Sequence, residues 1–373
     1  MLRLARVVSR FQSALGSISP QQGKVCHQIL RCRTEALGGF QLRCQDCGEQ
    51  QVLYHACRNR HCPRCQQQAS EQWQQRERSN VVDAPYFHLV FTLPHELNGW
   101  VRLHPRVIYQ ALFSSVWETL NTLGHDPKRL NGQLGMTSVL HTWGQNLSQH
   151  VHLHCLIPGG ALDAQNHWHP ARSQYLFPIR VLSRLFRGKM VGQLRQAAEK
   201  ERLYRVVRQG EVKQTLRLLM KKEWVVYAKS CLHKAATVVG YLSRYTRKIA
   251  ISESRLLEVG EHNVSFRYQD YRDNQQKVMT LSGSEFLRRY LQHVLPHGFM
   301  RIRHYGWLAN ASRRVKLPVI RDAIARQQGL SKPVNSDTPQ TLNIGFEGIA
   351  CPCCKTGMMR VCYSLLPTQQ EYG

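Results

Sequence analysis

Three imidazoles alternate along His150-Val151-His152-Leu153-His154, inside the strand-like stretch from Ser138 to Leu156. Successive side chains of a strand point to opposite faces, so residues two apart share a face, and imidazoles gathered there are suited to gripping a metal ion. Divalent Mg or Mn would suit the site, with an oxygen ligand completing the set and open positions left for a phosphate. Gln145 is the candidate for that ligand beside His152 and His154; His150 and His141 are its rivals. Farther on, Tyr241-Leu242-Ser243-Arg244-Tyr245 puts two phenols four residues apart. On a helix they share a face, roughly 6 Å apart along the axis. A phenol with the ordinary pKa of about 10 is ionised in only about one part in a thousand at pH 7, so attack on a phosphodiester needs help. Arg244, Arg247 and Lys248 supply positive charge beside the pair, where phenolate or phosphate could be stabilised. A metal would polarise the scissile phosphate. These residues suggest a metal-assisted nucleophile, Tyr241 or Tyr245.

A second chemistry is carried by cysteine. Cys44-x-x-Cys47 and Cys62-x-x-Cys65, with fourteen residues between them, could supply four thiolates to a tetrahedral zinc. Cys57 and His61 lie between the knuckles, and His27 and Cys32 precede them, so eight candidate ligands could hold one or two structural zinc ions. The pairing is left open by the spacing. Metal binding supplies roughly 10–16 kcal/mol in small zinc modules, enough to fold a segment with few core residues. Near the end, Cys351-Pro352-Cys353-Cys354 reads as half of another knuckle, with Cys362 as a partner and no fourth ligand evident.

The elements that must position these groups can be read from periodicity. Gln66 to Arg78 lacks Gly and Pro and reads as a helix leading out of the cysteine-rich segment; a boundary falls near Asn80 to Pro85. Tyr86 to Leu93 is a strand stopped by Pro94, and Pro105 to Leu123 a helix with Pro in its first turn and Gly124 just past its end. Met136 to His141 and Val151 to Ile157 are strands, the second closed by Pro158-Gly159-Gly160. Ile179 to Lys222 is helical and strongly basic, with thirteen Lys and Arg against three Glu; it suits either a helical insertion laid along DNA or a solvated helix face. Trp224 to Lys229 is a strand and Leu232 to Arg247 a helix carrying the tyrosines. Val264 to Tyr268 and Lys277 to Leu281 flank Asp273-Asn274 as a hairpin, and Ser284 to Leu295 is a helix stopped by Pro296. Only Gln327 to Thr341 reads as linker.

Composition narrows the class. Across 373 residues, 51 Lys and Arg face 24 Asp and Glu, a net charge of +27 that exceeds what solubility requires and points to nucleic acid as partner. A ribosomal or membrane-surface protein would share that bias. The opening Met1-Leu2-Arg3-Leu4-Ala5-Arg6 lacks the apolar core and cleavage site of a secretory signal. Its arginines without acids resemble a weak organelle-targeting peptide, but DNA-binding chains share the bias. No apolar run is long enough to span a bilayer. The expectation is a reduced, soluble, intracellular protein whose thirteen cysteines serve metal.

Taken together, the order Phe91-Thr92-Leu93, then His152-Leu153-His154, then Tyr241-x-x-x-Tyr245 resembles the HUH endonucleases, named for His, hydrophobic, His. More of the chain joins the likeness: Cys57-Arg58-Asn59-Arg60-His61-Cys62-Pro63-Arg64-Cys65, His88 to Pro94, Trp143-Gly144-Gln145, His152 to Gly160, Tyr241 to Ser252, His293-Val294-Leu295-Pro296 and Arg301 to Gly306. Nearly the whole chain resembles the two-tyrosine rolling-circle transposases of the IS91 family of bacterial insertion sequences. The resemblance implies an N-terminal zinc-binding domain before a catalytic domain whose antiparallel sheet is flanked by helices, with His152 and His154 as metal ligands and Tyr241 and Tyr245 as nucleophiles. One tyrosine would cut a single strand, keep the 5′ phosphate and free a 3′ hydroxyl; the second would permit a further cleavage and strand transfer. Ser243 stands where the family usually has Gly, and Arg247-Lys248 where a His is common; neither removes a nucleophile.

The expected fold is therefore α+β, an HUH-type antiparallel sheet between a small N-terminal zinc module and a small C-terminal cysteine module. The expected division is a zinc-binding DNA-recognition domain at 1–79, a catalytic domain at 80–260 with its basic helices at about 179–222, an extension at 261–345 and a cysteine-containing tail at 346–373. The expected function is metal-dependent cleavage and strand transfer on single-stranded or hairpin DNA ends, in the bacterial cytoplasm at the nucleoid. Deleting residues 1 to 78 is expected to abolish end selection while leaving some nicking. The alternatives are a rolling-circle replication initiator, a non-catalytic zinc-dependent DNA-binding regulator, and a metal hydrolase built on His150, His152 and His154.

Overall fold

A computed structural model describes residues 3–171, 175–206, 209–232, 238, 240, 249–329 and 349–368. Helices α1 (Leu4–Phe11) and α2 (Pro20–Arg31) precede the hairpin of β1 (Gly39–Cys44) and β2 (Gln50–Tyr54), then α3 (Pro63–Arg78). Next come β3 (Tyr86–Thr92), α4 (Asn98–Leu103), α5 (Pro105–Gly124), β4 (Gly135–Trp143) and β5 (Gln149–Pro158). The ribbon β6 (Gly160–Leu162) and β7 (Trp168–Pro170), helices α6 (Ile179–Glu199) and α7 (Gln209–Lys221), and β8 (Val226–Leu232) follow. After residue 249 come β9 (Leu256–Val259), β10 (Asn263–Asp270), β11 (Gln275–Ser282), α8 (Gly283–Leu291), β12 (Ile302–Gly306), α9 (Asn310–Gln327), β13 (Ile349–Ala350) and β14 (Met358–Leu365). No helix among the described residues is long and apolar enough to cross a membrane.

The central sheet is antiparallel in the order β12-β4-β5-β3-β8. Strand alternation divides it into two different faces. Val151, Leu153, Cys155 and Ile157 of β5 and Phe87, Leu89 and Phe91 of β3 bury one face against the apolar stripes of α5 and α6. Phe186 of α6 anchors this layer, its ring 5.1 Å from Phe91 and 5.2 Å from Trp224. Burying each such side chain contributes roughly 1.5–3 kcal/mol. The basic stretch read as a DNA-laid insertion thus also supplies core: Leu182, Phe186, Met190 and Leu194 of α6 are buried on one side. The other sheet face carries His88, His141, His152 and His154. At one end it is closed by Val82, Tyr86, Leu156, Val238, Trp307 and α9.

A second core joins parts of the chain distant in sequence. Leu4, Val7, Val8 and Phe11 follow the spacing i, i+3, i+4, i+7 and are all buried, which makes α1 an amphipathic core helix. They pack with Val264 and Phe266 of the sheet β11-β10-β9 and with Phe286 and Leu287 of α8. Gly283 leaves room for the Phe11 ring, whose carbons would lie 2.3 Å from a Cβ there. Helix α2 starts on a capping box, Ser19 and Gln22 exchanging side-chain hydrogen bonds with each other's backbone, with Pro20 at its first position. The N-terminal segment is therefore no detachable module: removing residues 1 to 78 would expose the core around Phe286, so that truncation cannot isolate end selection as the sequence suggested.

The hairpin expected around Asp273-Asn274 is β10–β11, with Asn274 in the left-handed region and the Asp270 carboxylate accepting from Arg272 and Lys277. The last strand does not form a separate tail. β14 pairs along β1, completing a four-stranded sheet in the order β13-β14-β1-β2.

Candidate metal centre and zinc sites

Strands β4 and β5 pair so that His141 lies opposite His152, and Val139 opposite His154. One ligand atom each from His141, His152 and His154 then falls within 4.8 Å of the others. Ring centroids are 5.3 Å apart for His141 and His152, 4.5 Å for His141 and His154, and 4.8 Å for His152 and His154. Three imidazoles converging from one sheet face form a tripod suited to a divalent cation. His141 is buried and backed by Trp143, which stacks on it at 4.7 Å; His152 and His154 are half-buried.

The ring orientations are set from behind. His152 Nδ1 lies 2.9 Å from the His150 carbonyl. A carbonyl can only accept, so Nδ1 carries the proton and Nε2 presents its lone pair. His154 Nδ1 lies 2.9 Å from Nε2 of buried His88 on β3. When His154 donates in this bond its own Nε2 is left as a ligand atom.

Among the histidines named as rivals for the third ligand, His141 is the one brought to His152 and His154. Gln145 lies in the β4–β5 turn and its amide donates to the Tyr271 hydroxyl at 3.1 Å; the third group brought in is His141. His150 lies beside His152, with ring centroids 4.9 Å apart, but outside the group formed by His141, His152 and His154. The register shifts between His141 and Trp143, which faces Gln149, so three residues of β5 span two of β4. The alternation along β5 is kept, with Val151 and Leu153 on the core face, so His150 shares the face of His152 and His154 at the exposed end of the row. His88 was not read as functional, although its position on β3, out of phase with Phe87, Leu89 and Phe91, already put it on the histidine face. Tyr241, Tyr245, Arg244, Arg247 and Lys248 lie outside the described residues. The flanks of their segment are described: Val238 packs with Tyr86 and Leu156, and Ala250 belongs to the cluster that holds Leu147 and Trp143.

The cysteines of the N-terminal half do not form a single four-thiol set from the two knuckles. Cys32, Cys57, Cys62 and Cys65 come together, with sulfurs of Cys32 and Cys65 3.6 Å apart, Cys57 and Cys65 3.5 Å, and Cys62 and Cys32 3.6 Å. A tetrahedron with Zn–S bonds of about 2.3 Å has edges of about 3.8 Å, so the spacing fits one zinc. Crowding perturbs these thiols: hydrogen bonds from Cys57, Cys62 and Cys65 hold Cys32 far below the ordinary thiol range. Cys44 and Cys47 instead meet Cys351 and Cys354.

His61 belongs to neither group. Its Nε2 accepts from the Leu295 amide at 3.4 Å, and burial, with Arg60 and Arg301 nearby, pushes its pKa down to about 3. His27 on α2 and exposed Cys362 also lie outside both groups. The loop of the first group is bolted to the body: Tyr290 donates to the His61 carbonyl at 2.5 Å and Arg60 to the Pro296 carbonyl at 3.0 Å.

An antiparallel sheet that gathers histidines on one face is here flanked by helices and joined to cysteine clusters, and comparison with known proteins puts the chain in the class of DNA-cleaving and joining transposases. Residues 135–316 match the family described as "Putative transposase", and residues 4–93 match the "Transposase zinc-binding domain". A "Putative transposase y4qJ" from Sinorhizobium fredii is 40% identical over 359 residues, covering 92% of this chain and 89% of that protein. The "Transposase for insertion sequence element IS801" from Pseudomonas savastanoi pv. phaseolicola is 30% identical over 306 residues, covering 80% and 72%. The chain belongs to the IS91-like transposase family. DNA is its partner, and it carries structural zinc.

Proposed function

We propose that the protein cuts and transfers a single DNA strand through a phosphotyrosine intermediate, in rolling-circle transposition of the HUH type. His141, His152 and His154 would hold a divalent cation. The donor set is all nitrogen, which favours Mn over Mg, since Mg prefers oxygen ligands and near-ideal octahedral geometry. The cation would polarise the scissile phosphate and offset charge as it builds up in the transition state.

The phenol oxygen of Tyr241 or Tyr245 attacks phosphorus and loses its proton; the bond from phosphorus to the 3′ oxygen breaks, leaving a 5′-phosphotyrosine and a free 3′ hydroxyl. The second tyrosine attacks another strand, and the 3′ hydroxyl displaces the first. No high-energy cofactor is required, because each phosphodiester is exchanged for a phosphotyrosine. Arg244, Arg247 and Lys248, sharing the tyrosine segment, would steady the phosphate. The substrate would be the single-stranded or hairpin ends of a mobile element, in the bacterial cytoplasm at the nucleoid.

One observation carries this reading: three imidazoles converge on the sheet face where the flanks of the tyrosine segment, Val238 and Ala250, pack against neighbours of those same histidines. Purified protein, incubated with Mn and labelled single-stranded ends, should give a covalent adduct on denaturing gels that disappears in the Tyr241→Phe, Tyr245→Phe double variant. Cleavage without an adduct and indifferent to both tyrosines would replace this reading with hydrolysis by water at the same imidazoles.

A further inference from the structure

The second cysteine group joins residues from opposite ends of the chain. β1 and β2 are connected by a turn carrying Cys44 and Cys47, and β13 and β14 by a turn carrying Cys351 and Cys354. Each turn places the residue after its second cysteine in the left-handed region, Gly48 at φ 75° and Lys355 at φ 63°. Each also closes on itself: Cys44 N donates to the Glu49 carbonyl at 2.8 Å and Cys351 N to the Gly357 carbonyl at 2.7 Å. They are two copies of one knuckle, face to face.

The sulfurs of Cys44 and Cys354 lie 3.7 Å apart and those of Cys47 and Cys351 3.6 Å, with all four within 4.8 Å. This is the edge of a zinc tetrahedron, about 3.8 Å, and far beyond a disulfide bond of about 2.05 Å. The Gly357 amide points at Cys354 Sγ from 3.3 Å, the kind of donor that steadies a metal-bound thiolate. Any Cβ at Gly357 would lie 2.6 Å from Cys44 Sγ, so the two knuckles interlock too closely for a side chain there. Among the described residues, the apolar core of the ribbon is Leu42, Cys44, Cys351 and Met359, with half-buried Phe40 and Cys354 packed against it. So few buried groups, two of them the cysteines themselves, cannot offset the entropy of ordering four strands, so a metal must hold them.

We propose that Cys44, Cys47, Cys351 and Cys354 bind a second structural zinc, which clasps the two ends of the chain into one ribbon. The zinc-binding domain matched at residues 4–93 contains only half of these ligands. The ribbon can form only after Cys351 and Cys354 have been synthesised, and loss of β14 strips β1 of a neighbour.

Native mass spectrometry of the full-length protein should find two zinc ions per chain. The Cys351→Ser, Cys354→Ser variant should hold one, the Cys44→Ser, Cys47→Ser variant also one, and the fourfold variant still one, because all three remove the same ion. If Cys44 and Cys47 instead shared a metal with Cys62 and Cys65, removing Cys351 and Cys354 would leave the count unchanged, and the proposal would fall. Should a variant not fold, cobalt titration of the wild-type chain decides: thiolate-to-cobalt absorption should saturate at two equivalents, and saturation at one would overturn the assignment. Neither readout depends on DNA cleavage, so the result stands apart from the catalytic reading.

Discussion

The bond between His88 and His154 allows a sharp test of the proposed metal centre. His88 is buried, and its Nε2 lies 2.9 Å from His154 Nδ1. Replacing it with Leu leaves the Nδ1–H of His154 without this acceptor in a half-buried position, at a cost of about 1–3 kcal/mol. Losing a partner of this kind typically weakens metal binding 10–100-fold, about 1.4–2.7 kcal/mol, so the two routes agree. His88→Leu should therefore raise the Mn concentration giving half-maximal adduct by one to two orders of magnitude. Saturating Mn should restore the wild-type amount of adduct, because the ligands themselves remain. His88→Gln, whose amide can occupy the place of Nε2, should lie near wild type. The assay is a Mn titration of covalent adduct, paralleled by direct Mn binding followed by EPR. An unchanged Mn requirement in His88→Leu, with the fold intact, would refute the orienting role and weaken the case for His154 as a ligand.

Other expectations follow from packing and ionisation. His293 is buried between Thr142 Oγ1 at 3.3 Å and the Leu147 carbonyl at 3.2 Å, and burial lowers its pKa from 6.5 to about 4. The folded state thus binds fewer protons than the unfolded one between these values, so stability is full above pH 6.5 and is lost as pH falls toward 4, by about 3 kcal/mol. The wild type should lose more stability than His293→Gln over that window; chemical denaturation at fixed zinc measures the difference, and parallel curves would exclude the assignment. Phe186→Ala, removing a fully buried ring from between Phe91 and Trp224, should cost about 3–5 kcal/mol in the same measurement. Gly306 has φ 62°, and a Cβ there would lie 1.7 Å from the Leu134 carbonyl, so Gly306→Ala should cost about 3 kcal/mol or more and loosen β12 from β4. Hydrogen exchange along Ile302–Gly306 would register that loosening, and wild-type protection would contradict it.

Much of this molecule is written in short-range pattern. Strand alternation at His152 and His154, the apolar stripe of α5 after Pro105, the turn at Asp273-Asn274 and each Cys-x-x-Cys knuckle depend on neighbours a few residues away, so the sequence alone announced them. What it could not announce was partnership. Periodicity says which face a side chain takes, but not which residue of another strand lies opposite. His141 became the third imidazole only through the β4–β5 register, while His150 stayed at the exposed end of its row and the turn engaged Gln145 with Tyr271. His88 reaches His154 only because β3 pairs with β5. Knuckle pairing is still less local: Cys44 and Cys47 bypass Cys62 and Cys65 for Cys351 and Cys354 because β14 lies along β1. The entropy of closing a loop grows only with the logarithm of its length, so sequence distance is a poor guide to which ends meet, and the choice falls to the packing of the whole chain.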